Sequence, residues 1–358
     1  MKHGVVNRTE DGLFPYQGWP TVCRDEKGTL YVVSSGHRVE HLCPFGKNLM
    51  YVSYDEGETW SAPIIVNDTL LDDRDAGITS LGEDKLLLTW FNREMDFYFK
   101  NTAWLERAAG EAKKDLVLGT LNAWRAMPEK DIPGSFTRRS KNGGKTWEPA
   151  QQAPVTSPHG PVKLANGKLF FLGKQFPFVN DEGPVQAYES DDEGKTWKYL
   201  STVELPDGCE TKNIHEPHAI ELADGTILGA LRGQGKEVPY GFTVYTCISK
   251  DGGKTWTHPT GHDICGSPPH LLLHSSGAVV MTFGRRAKPY GERARISYDG
   301  GVTFQREVTL FDDAPDVDLG YPSSVELSDG SILTVYYQKQ AGDKFCSILY
   351  TKWELPKD

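Results

Sequence analysis

No stretch of the chain approaches the roughly 18 consecutive apolar residues that a membrane-spanning helix needs. Cysteine is scarce, 6 in 358 residues, and scattered without a Cys-x-x-Cys pair. That excludes a disulfide framework and the common zinc modules, and no metal is expected. Basic residues are in the minority, 39 Lys+Arg against 49 Asp+Glu. A net charge of −10 argues against nucleic acid or an anionic membrane as partner. Met1-Lys2-His3-Gly4 leads into polar sequence with no apolar leader, so a soluble, cytoplasmic protein is expected. Gly233-Gln234-Gly235 is too short to be a phosphate-cradling loop, and no cofactor is expected. Oligomeric state leaves no mark in the sequence.

What the chain does hold is glycine (37), proline (22) and 11% aromatics, a composition of turns and short strands. It also holds repeats. The pattern Ser-x-Asp-x-Gly-x-Thr-Trp occurs at 53–60, 140–147, 190–197, 249–256 and 297–304, with Asn142 for Asp and Phe304 for Trp as the two deviations. Ser and Asp side chains cap local backbone N–H groups, Gly supplies a positive φ, and the aromatic packs between sheets. A second repeat, two apolar strands around a tight turn, recurs at 21–33, 76–91, 162–172, 219–231, 271–283 and 324–336. Ala223-Asp224-Gly225 and Ser328-Asp329-Gly330 are its clearest hairpin turns.

The first repeat resembles the Asp-box of sialidases, where it is the turn between the two outer strands of a blade. Six hairpins and five boxes then imply an all-β fold, a six-bladed β-propeller of four-stranded blades, as one domain over 1–358. The sixth blade lacks a box, and the N-terminal segment 4–8 is its candidate outer strand. Between 95 and 133 the β pattern stops, and 102–114, rich in Ala, Leu, Glu and Lys, reads as a helical insertion in blade two.

In such a ring the starts of first strands and the ends of second strands meet at the axis. Here they carry Gly18-Trp19-Pro20, Arg74-Asp75, His159-Gly160-Pro161, His215-Glu216-Pro217-His218, Pro269-His270 and Gly320-Tyr321-Pro322, then His37-Arg38, Asn92-Arg93, Lys174, Arg232, Arg285-Arg286 and Tyr337-Gln338. A structural hub would be apolar and small, so this crowd of charges and rings marks a site. The run from Glu216 to Arg232 resembles the sialidase stretch in which a Glu partners a tyrosine nucleophile and an Arg binds the substrate carboxylate. By the same resemblance Tyr321 is the nucleophile and Arg293 a further carboxylate-binding arginine. The family's blade-one arginine is replaced by Gln17-Gly18-Trp19-Pro20, leaving Arg74 and Arg38 as its stand-ins. For the acid/base, the loop after the first hairpin offers Glu40 and His41, and Asp75 opens blade two. His159 and His218 are further substrate-binding candidates.

The chemistry fits that set. Guanidinium forks bind a sugar carboxylate bidentately, and a neutral tyrosine avoids the repulsion that a carboxylate nucleophile would meet. With a pKa of about 10, tyrosine needs a base such as Glu216. The resemblance implies an exo-acting glycoside hydrolase for a terminal acidic sugar, sialic acid or a relative. Two alternatives stand beside it: a hydrolase or β-eliminating lyase for uronic-acid glycans that uses His159 or His218 with Tyr321, and a non-catalytic glycan-binding propeller.

Overall fold

The structure, a computed structural model, describes residues 1–9, 12–127, 132–175 and 183–356. Among these residues the strands form six antiparallel sheets, arranged as the blades of a propeller. Blade one runs outward through Tyr16–Arg24, Leu30–Arg38, Lys47–Ser53 and Ile64–Asn67. Blades two, four and five repeat the pattern from Asp72–Gly82, Ile214–Glu221 and Gly266–Leu273. In blade three the inner strand is split into Val155–Thr156 and Val162–Lys163, both paired with Leu169–Gln175. Blade six is closed by the N-terminus: Lys2–Asn7 pairs with Ser347–Trp353, Gly4 opposite Tyr350.

The repeated boxes are turns between third and fourth strands. Asp55 Oδ1 accepts the Thr59 N–H at 2.9 Å and its Oδ2 the Thr59 hydroxyl at 2.6 Å, while Ser53 Oγ accepts the Gly57 N–H at 2.7 Å. Asn142 keeps the same bond to the Thr146 N–H, 2.9 Å, which is why the substitution is tolerated. The box also seats each blade on its predecessor. Gly57 has φ 85°, and a Cβ there would lie 2.6 Å from Leu333 of blade six; at Gly253 it would lie 2.4 Å from Phe170 of blade three.

Near the axis, side chains bond one blade to the next at all six junctions. Ser35 Oγ donates to Asp73 O (2.6 Å), Thr79 Oγ1 to Pro161 O (2.5 Å) and Ser157 Oγ to Pro217 O (2.5 Å). The Leu271 N–H donates to His218 Nδ1 (3.0 Å), the Ser324 N–H to His270 Nδ1 (3.3 Å) and the Val22 N–H to Ser323 Oγ (3.1 Å). His159, His218 and His270 pack together there, with ring centroids 4.4–5.4 Å apart.

The insertion is helical over more than the 102–114 expected. It holds three helices, α1 (Met95–Lys100), α2 (Thr102–Ala109) and α3 (Glu111–Arg125). Gly110, at φ 84°, ends α2 and lets the chain restart as α3. Residues 128–131 of the insertion lie outside the described residues. The helices pack Tyr98, Leu105, Val117 and Leu121 against Val39, Leu42 and Cys43 of blade one.

Burial forces the axial imidazoles to be neutral, and that of His218 falls to about 3. Because the unfolded histidine titrates near 6.5, the unfolded chain binds the extra proton first, so stability is full above pH 6.5 and drops between about 6.5 and 3. Thermal unfolding followed by circular dichroism across this window should show His218→Asn losing less Tm on acidification than wild type; equal losses would remove His218 from the acid response.

Candidate active site

In four blades the inner strand opens with a left-handed, non-glycine residue: Trp19 (φ 56°), Asp75 (φ 48°), Glu216 (φ 40°) and Tyr321 (φ 53°). Each sits at a break in register with the second strand, between Gly18/Thr21, Arg74/Gly77, His215/His218 and Gly320/Ser323. Proline follows three of them, and a bulge is where an inner strand can accept a residue without an N–H. A side chain at such a bulge leaves the alternation of the strand, and all four line one cavity at the funnel end of the axis. Left-handed non-glycine backbone is costly and concentrates at functional sites.

The cavity measures about 320 Å³, close to the lower bound for small-molecule sites. The Tyr321 hydroxyl donates to Glu216 Oε1 at 2.5 Å. Arg232 Nη1 donates to Glu216 Oε2 and, at 3.0 Å, to the Tyr321 oxygen, while its Nη2 donates to Gln234 Oε1 at 2.6 Å. Across the cavity Arg74 reaches Asp72, 3.4 Å, and the His41 carbonyl, 3.3 Å. Its guanidinium and that of Arg38 lie over Trp19, 4.5 and 5.0 Å from the ring centroid. Arg232 Nε, Arg74 Nε and Asp75 Oδ1 are buried without a hydrogen-bond partner among the described residues, the last two facing each other as an ion pair at 3.9 Å.

The two carboxylates differ in their environments. Burial pushes Glu216 up, but Arg232 and the Tyr321 hydroxyl outweigh it and hold the group below the ordinary range. Asp75 is raised to about 6, by burial first; Arg74 opposes the rise and Glu216 adds to it. Burial, then the Glu216 charge, holds the Tyr321 phenol well above its usual value, so it is protonated. His41 is lowered by burial against the pull of Asp318, 3.2 Å from its Nδ1. Asp318 also accepts from the hydroxyls of Tyr16 (2.9 Å) and Tyr337 (3.2 Å), and it falls to about 2 despite its burial, held down chiefly by His41. Arg74, Arg93, Lys174 and Arg232 outnumber Asp75 and Glu216 in the lining, giving a cationic cavity in an anionic protein.

Of the residues singled out from sequence, Tyr321, Glu216, Asp75, His41, Arg232 and Arg74 come together in this cavity. The others stand outside its lining. Arg38 is wholly buried, bonded to Asp72 at 2.5 and 3.0 Å beneath Trp19. The Glu40 side chain turns back to accept the His41 N–H at 3.1 Å. Arg293 lies on the third strand of blade five, where it donates to Phe311 O at 2.6 Å and faces Glu307. His218 stands past its bulge, in regular strand, and His159 lies in the turn between the two segments of blade three's inner strand; their rings pack at the axis below. Sequence reasoning did not select Trp19, Arg93, Lys174 and His215 as functional, although they occupy strand ends it had marked. Gln234 shares Arg232's face by alternation, and nothing in the sequence pointed to Asp318 as the acceptor for Tyr16, Tyr337 and His41.

The insertion borders the site. Tyr98 of α1 donates to Asp72, the carboxylate that holds Arg38 and Arg74, and the Trp104 ring of α2 meets His41 at 6.3 Å between centroids.

The BNR repeat-like domain profile matches residues 120–336. The chain belongs to this family. Its BNR propeller has the fold of the sialidase superfamily, as structural comparison bears out. A crystal structure of a protein of unknown function from Dyadobacter fermentans is 22% identical, with 99% of this chain and 98% of that one covered and a TM-score of 0.77. The NanB sialidase from Streptococcus pneumoniae is 15% identical over 98% of this chain and 70% of its own, TM-score 0.72. The intramolecular trans-sialidase from Ruminococcus gnavus is 14% identical over 98% and 96%, TM-score 0.68. No curated protein matches the chain. At these identities the likeness is one of fold, and what this BNR propeller does rests on its own cavity.

Because the Glu216 charge helps to raise Asp75, Glu216→Gln should lower the Asp75 pKa from about 6. Carboxyl-carbon NMR titration reads this directly, and an unmoved Asp75 would mean the two groups are not coupled.

Proposed function

We propose that the protein is an exo-acting glycoside hydrolase that releases a terminal acidic sugar, sialic acid or a relative, with retention at the anomeric carbon. The observation that carries this reading is the 2.5 Å bond from the Tyr321 hydroxyl to Glu216, with Arg232 bonded to both. Glu216, held ionised, takes the phenol proton as the Tyr321 oxygen attacks the anomeric carbon. Arg232 steadies the phenolate as it forms, and the surrounding cations hold the sugar carboxylate in place of the family's missing blade-one arginine. Tyrosine as nucleophile is the recognised sialidase exception to the two-carboxylate pattern.

Asp75 is the better acid of the candidates. Two carboxyls whose environments drive them apart divide the acid and base roles, and at about 6 Asp75 keeps a proton that Glu216 has lost. Asp75 protonates the departing oxygen as the Tyr321 oxygen bonds to the anomeric carbon; water that gives its proton to the Asp75 carboxylate then attacks that carbon, and Glu216 returns its proton to the leaving Tyr321 oxygen. His41, lowered and neutral, is the weaker donor. Its bond to Asp318 favours a second reading, in which neutral His41 removes the C5 proton of a uronic acid and the glycosidic oxygen leaves by β-elimination.

Hydrolysis of a fluorogenic sialoside should fall on the order of 10³-fold or more in Tyr321→Phe. Turnover of a uronate with an ultraviolet-absorbing product, and silence on the sialoside, would replace this reading with the second. The wild-type pH profile should decline above about 6 as Asp75 loses its proton, and Asp75→Asn should remove that limb. A profile in which Asp75→Asn leaves the alkaline limb intact would take the acid role from Asp75.

A further inference from the structure

At its far end from the funnel the axis opens into another cavity, of about 410 Å³, lined by positions further along the inner strands than the bulges. That volume suits a small molecule. Val22, Ile78, Ile220, Leu271 and Val325 give it aliphatic walls, and the rings of His159, His218 and His270 line it with them. The funnel chemistry uses none of these residues. Every charge at the cavity's mouth has a partner: Arg24 bonds to Glu56 (2.7 Å), Lys163 to Leu81 O (2.7 Å) and Glu326 to the Ser275 N–H (2.7 Å).

The bonds at the blade junctions fix what the rings offer. Because His218 Nδ1 accepts the Leu271 N–H and His270 Nδ1 the Ser324 N–H, and burial keeps both rings neutral, the one proton of each lies on Nε2. Neither Nε2–H has a hydrogen-bond partner among the described residues, although His218 is only 4% and His270 only 7% exposed. A donor so placed is costly until an acceptor reaches it. His159 is the other tautomer: Thr21 Oγ1 gives its proton to Pro158 O at 3.0 Å, so at 3.2 Å it accepts from His159 Nδ1 and leaves the Nε2 lone pair. One lone pair among three rings makes no metal site, and no group of three His, Cys, Asp or Glu among the described residues is placed to hold a metal.

From this geometry we infer that the far cavity is a binding site for a small uncharged amide, its carbonyl accepting from the Nε2–H groups of His218 and His270 and its apolar body lying against the aliphatic walls. The site is independent of the funnel and of the reaction proposed there. The inner strands are the ends of their sheets, and an end strand keeps backbone C=O groups outside the ladder, where they can receive the amide N–H. A carboxylate would have to shed its water against neutral rings in a protein of net charge −10. A cation would meet two N–H donors.

Benzamide, benzoate and benzamidinium have one shape and three charges, so together they test the site. With the full chain labelled at its histidine nitrogens, benzamide should shift the imidazole signals of His218 and His270 with a Kd of about 1 mM, and the two ions should bind at least about 10-fold more weakly. Ser80→Trp, which places a bulky ring at a half-buried position of the lining, should abolish the benzamide shifts while leaving the ligand-free histidine spectrum of a folded chain. Benzoate or benzamidinium binding as tightly as benzamide overturns the uncharged ligand. No shift with any of the three, shifts confined to His41 and His215 in the funnel, or benzamide binding that survives Ser80→Trp overturns the site.

Discussion

A bulge at the head of an inner strand is unstable by itself, because it gives up ladder hydrogen bonds and here also forces bulky residues to positive φ. What holds it is the closed ring. At every junction a side chain near the axis bonds one blade to the next, from Ser35 and Asp73 round to Ser323 and Val22. The N-terminal strand Lys2–Asn7, paired beside Ser347–Trp353, supplies the fourth, outer strand of blade six and so joins the two ends of the chain in one blade. With the strands so pinned, Trp19, Asp75, Glu216 and Tyr321 are carried into the funnel from four separate blades, and the cavity depends on that arrangement.

The same construction explains the division of labour along the axis. Residues at the bulges face the funnel, while His218 and His270, past theirs, return to regular strand and, with His159 from the turn that splits blade three's inner strand, fill the axis below. Histidines in both places looked alike in the sequence. Their environments differ: His218 and His270 spend Nδ1 as acceptors for neighbouring N–H groups, whereas His41 shares a carboxylate with two tyrosines.

Electrostatics in the funnel is arranged in layers. Asp72, fully buried, fixes Arg38 and Arg74, and α1 reaches in through Tyr98 to the same carboxylate. Arg38 is thereby consumed as a support, while Arg74 faces the cavity above it. Asp318 serves in the same way for His41. The insertion is bound into this support through its apolar contact with the loop that carries His41, so it belongs to the architecture of the site.

Repeats are local chemistry, and local chemistry is legible: the Ser–Asp–Gly–Thr box closes its own turn with its own side chains, and Asp-Gly hairpins set strand spacing. Blade number and the closing strand could therefore be read from the chain itself, while Tyr321, Glu216 and Arg232 were picked out by the resemblance to sialidases and share one cavity. Sequence order could not show which of many axial charges share a cavity, because that depends on where a bulge turns a side chain out of its strand's alternation. Arg293 and Arg232 both stand on propeller strands, yet one is spent on Phe311 and Glu307 and the other on Glu216 and Tyr321. Nor could it show that Asp75 would keep its proton up to about pH 6 while Glu216 is ionised. Those states come from burial and from one guanidinium a few ångströms away, which only the closed ring brings together.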